Sequence, residues 1–354
     1  MSDLTELSDY DCAHIGARPM AFIVVTSTFP PRGGSSVQRV AKFCKYAKRM
    51  GAEPVVITAH FKSGLRDETL LEDLPEDLEV HRVANSILGS SSLISRLQRR
   101  FARVFLPDEH SAWGRSACRA AKSLAANRQF DAVFVSYGTP SALKAGVAIG
   151  KMLKIPIVTD IRDFKQKNII NKKKIQGYGL IRQFLINRLE ASLFLEISRF
   201  SVVSRTYASA LSSHYGVEQN MIHTIYNGYD PEDFRDIVAK SESWIEQPIL
   251  RYVGFITHLP SFQNLVAAIS KINKARINEQ NSLVRLEVFG ENNLALLQDI
   301  IRSHSAAEFC SVKGYIPHNE AIEKMSSASA LVLLQHGESG VLTGKLFEYI
   351  GAAR

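Results

Sequence analysis

The sequence predicts a doubly wound α/β protein built as two tandem domains, each a mostly parallel sheet covered by helices. Three observations predict this. Short β-branched runs alternate with helical stretches from Ala21 onward. The strand runs are almost continuously apolar, as strands buried on both faces must be. The alternation also starts afresh after a polar, charge-rich stretch, and 354 residues suit two cores better than one.

In the first domain, strands are predicted at Ala21–Ser27, Pro54–Ala59, Leu78–Ala84, Asp131–Tyr137, Ile155–Ile161, Phe200–Ser204 and His223–Asn227. Helical spacing of apolar residues marks Val37–Met50, Ala112–Asn127, Ser141–Leu153 and Arg182–Ile197 between them. Strands of the second domain are predicted at Leu250–Ile256, Arg285–Phe289, Cys310–Tyr315 and Ala330–Leu334. Each is followed by a helix: Asn264–Ile277, Asn293–Ser303, Asn319–Ser326 and Lys345–Ala353. The resulting layout is a tail at 1–20, a Rossmann-like domain at 21–234, a linker at 235–248 and a second Rossmann-like domain at 249–354. Ligands of such sheets bind where strand ends meet helix starts, so a substrate cleft between the domains is expected. With no strand after its last helix, the second domain is expected to be incomplete and the weaker of the two. Its apolar run Leu331–Leu334 is then expected at an unprotected sheet edge.

Composition narrows the class. A hydrophobic content of 45% fits a globular protein, and no apolar run approaches the ~20 residues that span a bilayer. The N-terminus is polar and acidic, unlike a secretory signal. The four cysteines (Cys12, Cys44, Cys118, Cys310) form no Cys-x-x-Cys pair, so reduced thiols and a cytoplasmic location are expected. The net charge of +8 is uneven. Arg96, Arg99, Arg100 and Arg103 form one basic stretch, and Lys165, Lys167, Lys172, Lys173, Lys174, Arg182 and Arg188 form another; both are interleaved with apolar residues. Basic amphipathic helices suit an anionic membrane surface, while solvated helices packed on the core are the plainer reading. No nucleic-acid-binding pattern appears. None of the ten histidines sits at metal-ligand spacing from a Cys or carboxylate, so no metal is expected.

Four segments carry chemistry. The first strand runs into Phe29-Pro-Pro-Arg-Gly-Gly34, whose Gly33 and Gly34 allow close backbone approach before a helix N-terminus that favours anions. This turn lacks Gly-x-Gly-x-x-Gly, which argues against NAD. Two strand ends carry polar clusters: Ser136, Tyr137, Gly138 and Ser141, then Asp160, Arg162 and Asp163. These either contact an acceptor or sugar hydroxyl or form a salt-bridged strand–helix turn. Near the C-terminus, Thr343-Gly344-Lys345 opens a helix with Glu348 one turn in, a pattern suited to the phosphates and ribose of a nucleotide sugar. Taken alone, Glu348 is equally an ordinary surface carboxylate.

In order along the chain, these segments resemble family 4 (group 1) glycosyltransferases of the GT-B fold. The resemblance runs through FPPRGG and the following VQRVAKF, then FDAVFVSYGTPSAL at 130–143 and IPIVTDIRD at 155–163. It continues in VVS at 202–204, IYNGYDPEDF at 225–234 and KLFEY at 345–349. It implies a nucleotide-sugar donor held by the second domain, a glycan or lipid-linked acceptor held by the first, and transfer with retention and without a metal. It also implies that Glu348 accepts from the ribose hydroxyls, that Thr343, Gly344 and Lys345 cradle the phosphates, and that Gly33 and Gly34 close on the same diphosphate. A role in cell-surface polysaccharide assembly follows from it.

The chain departs from that pattern twice. The family often has a Glu eight residues before the ribose Glu; position 340 is Gly, and the nearest acid is Glu338. The family also commonly supplies Arg and Lys after the first strand of the second domain, where this chain has only His258, as a cation, a donor or a plain turn residue. The alternatives left open are a sugar-nucleotide epimerase on the same fold and an inactive binding protein.

Overall fold

The computed structural model describes residues 18–60, 64–84, 113–162, 178–235, 248–256, 258–334 and 342–353, with side chains described throughout except at 35, 36 and 178–183. The basic stretch at 96–103 and the lysines at 165–174 lie outside these residues, as do Asp163 and Glu338. The chain forms two compact units. Unit 1 comprises residues up to 66 together with 70–225, and unit 2 comprises 67–69 together with 226–354.

Unit 1 is a seven-stranded parallel sheet. Its strands are β1 (Ala21–Thr26), β2 (Glu53–Ala59), β3 (Glu79–Val83), β4 (Ala132–Tyr137), β5 (Ile157–Ile161), β6 (Arg199–Val202) and β7 (Ile222–Thr224). They lie in the order β3-β2-β1-β4-β5-β6-β7, so the order reverses between β1 and β4. Among the described residues, five helices of eight or more residues flank them: α1 (Ser35–Arg49), α3 (Trp113–Ala125), α4 (Pro140–Leu153), α5 (Tyr178–Phe194) and α6 (Arg205–Tyr215); α2 (Thr69–Glu72) is a single turn. All six residues of β1 are buried, as the apolar run demanded. On one face Val40, Ala41 and Cys44 of α1 pack against Phe22, Val24 and Val56. On α4, Gly146 and Gly150 bring the helix onto β4 and β5, because an added Cβ would strike Val135 or Ile157. Thr139 caps that helix by accepting from Ala142 N–H at 3.3 Å. Sequence periodicity missed α6. Its cap is nonetheless plain, since Ser204 accepts from Tyr207 N–H at 3.2 Å and Gly216 closes the helix in the left-handed region.

Unit 2 is a four-stranded parallel sheet, β8 (Ile249–Val253), β9 (Arg285–Phe289), β10 (Cys310–Val312) and β11 (Ala330–Leu331), in the order β10-β9-β8-β11. Its order reverses between β8 and β11. The helices are α7 (Leu259–Asn278), α8 (Leu294–Ser303), α9 (His318–Ser326) and α10 (Gly344–Gly351). Alternation along the strands divides the core. Tyr252, Leu286 and Val288 face Phe262, Val266, Ile269, Leu297 and Ile301 of α7 and α8. Val253 and Leu331 face Ile322, Met325, Tyr349 and Ala352 of α9 and α10. Buried Arg251 joins the strands to α9, donating to Glu287 at 2.7 Å, to the Lys324 carbonyl at 2.9 Å and to Ser327 at 2.8 Å. β10 and β11 are shorter than the sequence predicted. The apolar run at 331–334 is expected at a sheet edge, and β11 is the outermost strand; Leu331 and Leu333 pack on the α9–α10 face and Leu334 on the other, all half-buried.

Candidate functional site

Doubly wound sheets offer a crevice at the C-terminal ends of the two strands where the order reverses. In unit 1 those strands are β1 and β4; Ser136 stands near the end of β4, with Ser27 and Gly138 just beyond the two strands. Arg162, just past β5, reaches across to this point and donates to Ser136 Oγ at 2.9 Å. A Cβ on Gly138 would lie 3.8 Å from Ser27 Oγ and 3.9 Å from Arg162 Nη2, so the three residues share one small space.

Asp160 holds this corner rather than opening onto it. It is 3% exposed. Arg39 of α1 donates to both of its carboxylate oxygens, Nε at 3.0 Å and Nη2 at 2.9 Å, and Ser201 Oγ adds a bond at 2.8 Å. Arg162 Nε stands 3.9 Å from the same carboxylate. A bidentate arginine fork plus a hydroxyl uses most of the lone pairs a carboxylate has. One buried carboxylate therefore sits between two guanidiniums, and the surplus charge of the cluster is positive. Tyr137 faces inward: it is 1% exposed and its hydroxyl donates to buried Glu190, which also accepts from Tyr215 at 2.8 Å. Ser141 is buried in the first turn of α4. In the glycine-rich turn, Gly33 N–H is committed to the Leu65 carbonyl at 3.0 Å. Gly34 has φ +106, a conformation that favours glycine, and caps α1 with no side-chain hydrogen bond.

In unit 2 the reversal lies between β8 and β11, and the residue at the end of β8 is Gly254. Lys345, the second residue of α10, lies directly over it. An added Cβ on Gly254 would strike Lys345 Cε, and Gly254 itself has φ +131. The ammonium donates to Tyr252 Oη at 2.6 Å and to the Phe255 carbonyl at 3.1 Å, and it stands 4.4 Å from the centre of the Tyr252 ring. Burial lowers its pKa to about 8, against a smaller opposing pull from Glu348 one turn on. The cation that the segment after β8 lacks is thus supplied to the same strand end by α10.

The start of α10 is open to a ligand. Thr343 occupies the N-cap but makes no capping bond. Among the described residues its Oγ1 is a buried polar atom with no hydrogen-bond partner, and an atom added at Gly344 would meet none of them within 4 Å. A buried hydroxyl left unpaired costs about 1–3 kcal/mol, so a bound acceptor or donor would relieve it. Helix N-terminal amides, a free hydroxyl and an ammonium together make an anion cradle. Farther along α10, Tyr349 Oη accepts from Val253 N–H at 3.0 Å. Gly351 lies against the rings of Tyr229 and Phe234, so the Asn227–Phe234 segment braces the helix. His258 is a cap in this fold: its Nδ1 accepts from Ser261 N–H at 3.2 Å at the start of α7. No local pattern marks Tyr252, Ser27 or Arg39 as members of these sites, since their roles depend on partners far along the chain.

In overall fold the chain is similar to WaaG, a glycosyltransferase involved in lipopolysaccharide biosynthesis, at TM-score 0.60 and 14% identity over 94% of this chain and 79% of that one. A glycosyltransferase from Rickettsia africae ESF-5 gives 0.56 and 13% over 89% and 73%. The pneumococcal O-GlcNAc transferase GtfA, solved with UDP and GlcNAc, gives 0.56 and 10% over 94% and 82%. At these identities the likeness is one of fold, and the fold is that of GT-B glycosyltransferases. No curated protein matches the chain in sequence. Residues 33–233, more than half of the chain, match the model of Glycosyltransferase Family 4, and the chain belongs to that family.

Proposed function

We propose that the protein transfers a sugar from a nucleotide-sugar donor bound by unit 2 to a glycan or lipid-linked acceptor bound by unit 1, with retention at the anomeric carbon. The observation that carries this reading is the cluster at the end of β8, with Lys345 over Gly254 and an unpaired Thr343 hydroxyl at the start of α10. In this reading Thr343 and the amides of Gly344 and Lys345 take the diphosphate, with the Lys345 ammonium neutralising it. Glu348 accepts from the ribose hydroxyls. As the sugar–phosphate bond breaks, negative charge grows on the departing diphosphate, where fixed dipoles and a cation lower the barrier most.

The family and the GtfA complex with UDP support a nucleoside diphosphate as the leaving group. Polysaccharide assembly at a membrane face is the pathway proposed. No described helix is long and apolar enough to cross a membrane, so the basic stretches at 96–103 and 165–188 are the proposed contact with anionic lipid. Salt-sensitive sedimentation with anionic but not neutral vesicles tests that contact.

Calorimetry with UDP, GDP and ADP tests the donor site. Glu348→Ala and Thr343→Val should each weaken the best of the three by ~1–3 kcal/mol. Absence of binding by all three nucleotides would point to an inactive binding protein. Conversion of a nucleotide sugar with no acceptor present would point to an epimerase.

A further inference from the structure

Past Gly254 the chain leaves the sheet, so side chains must satisfy its backbone groups. Asn292, on the turn between β9 and α8, does this with both ends of its amide. Its Nδ2 donates to the Gly254 carbonyl at 3.1 Å, and its Oδ1 accepts from the Ile256 N–H at 2.8 Å. The two turns meet because Gly290 lies against Gly254; an added Cβ on Gly290 would stand 2.6 Å from the Gly254 oxygen. Phe255 is the residue between the two clamped positions. Its carbonyl accepts from Lys345 Nζ at 3.1 Å and from Tyr252 Oη at 2.8 Å, and that hydroxyl accepts in turn from Lys345 Nζ at 2.6 Å. Ammonium, hydroxyl and carbonyl therefore close a ring of hydrogen bonds. One corner of the ring is a backbone atom on a turn that Asn292 holds from both sides.

We infer that Asn292 is a positioning residue for the transfer reaction, fixing the place of the Lys345 ammonium at the end of β8 through the Phe255 carbonyl. A cation already held where charge develops needs no reorganisation as the bond breaks, whereas a lysine loose on its four-carbon stem must first be ordered. The inference rests on unit 2 being the donor unit. Loosening the turn lets water reach the ammonium and relieves the burial that lowers its pKa, so the lysine itself reports the hold. Of the titratable groups beside it, the Tyr252 hydroxyl is pushed up to about 12 by burial and keeps its proton while the lysine titrates. Glu348, one turn on, favours the charged lysine.

Two readouts on the full chain test the inference. One is the pH midpoint of the Lys345 ε-carbon resonance in the ligand-free protein, assigned by its loss in Lys345→Arg; the other is UDP affinity by calorimetry. In Asn292→Ala the midpoint should move up from about 8 toward the ordinary lysine value of 10.5. UDP affinity at pH 7 should fall about tenfold, and its change between pH 7 and pH 9 should flatten. Asn292→Ser, which keeps one hydrogen-bonding group, should lie between, and it serves if the alanine variant does not fold. Asn273→Ala is the control for plain destabilisation. Asn273 holds Val284 with the same pair of bonds, both 2.8 Å, at the opposite end of β9. Its variant should lower the melting temperature with the midpoint and UDP affinity unchanged. An unchanged or lower midpoint in the Asn292 variants would overturn the inference, as would equal effects from Asn273→Ala. Full UDP affinity in Asn292→Ala despite a raised midpoint would overturn it too, because the donor would then not depend on where the lysine is held. Failure of the wild-type chain to bind UDP, with the midpoint still following Asn292, would instead remove the donor reading and leave the hold of Asn292 on the lysine standing.

Discussion

Lys345 donates to the hydroxyl of Tyr252 at 2.6 Å across 93 residues of sequence, with its ammonium 4.4 Å from the centre of that ring. The contact fixes a partly desolvated cation at the one strand end of unit 2 where an anionic ligand is expected. Its consequences are pH-dependent.

The Lys345 pKa is lowered from 10.5 to about 8. A diphosphate beside it favours the charged form, so binding should draw in a proton near pH 8. Between pH 7 and pH 9 the affinity for UDP should fall about tenfold, as the free protein loses the charge that the ligand requires. Lys345→Arg should flatten this profile, since guanidinium stays charged throughout the range. For stability the sign is opposite. The unfolded state binds the extra proton between pH 8 and 10.5, so the penalty of about 3 kcal/mol is full below pH 8 and fades as pH rises toward 10.5. A UDP affinity that does not change with pH would remove Lys345 from the site.

Gly254→Ala should be costly for two separable reasons. Its φ of +131 is strained for any side chain, and the new Cβ meets Lys345 Cε. Strain alone predicts a loss of about 1–3 kcal/mol in denaturant unfolding of unit 2. Displacement of the lysine predicts, in addition, weaker UDP binding. The double variant Gly254→Ala with Lys345→Ala should relieve the clash but keep the loss due to strain, and should not recover affinity.

Asp160→Asn tests whether that residue anchors or reacts. Removing the charge leaves half-buried Arg39 and Arg162 without their shared carboxylate, which should cost about 3 kcal/mol. UDP binding by unit 2 should be unchanged. Full stability with abolished turnover would instead make Asp160 a group that touches the reacting atoms.

Most of the fold was legible in the sequence because burial on both faces writes itself into composition. Val55, Val56 and Ile57 of β2 or Val133 and Val135 of β4 can belong only to a covered sheet. The glycines at 146 and 150 announced nothing by themselves, since an isolated glycine in a helix records only that something comes close. α6 was missed because its apolar face is reduced to Tyr207 and Leu211, too few positions for a clear period.

The site divides along the same line. The sequence by itself determined the alternation of elements, the glycine-rich turn after β1, and the Thr343-Gly344-Lys345 helix start, because each is a local pattern of residue types. Only the tertiary structure decided where the charges go. Asp160 is spent on Arg39, 121 residues away. Tyr137 turns inward to Glu190, and Lys345 fills the place over Gly254 that the segment after β8 leaves without a cation. The physical reason is that strand and helix periodicity fix which face a side chain leaves, while its partner on that face is set by strand order and helix packing, which bring together residues that no local window contains.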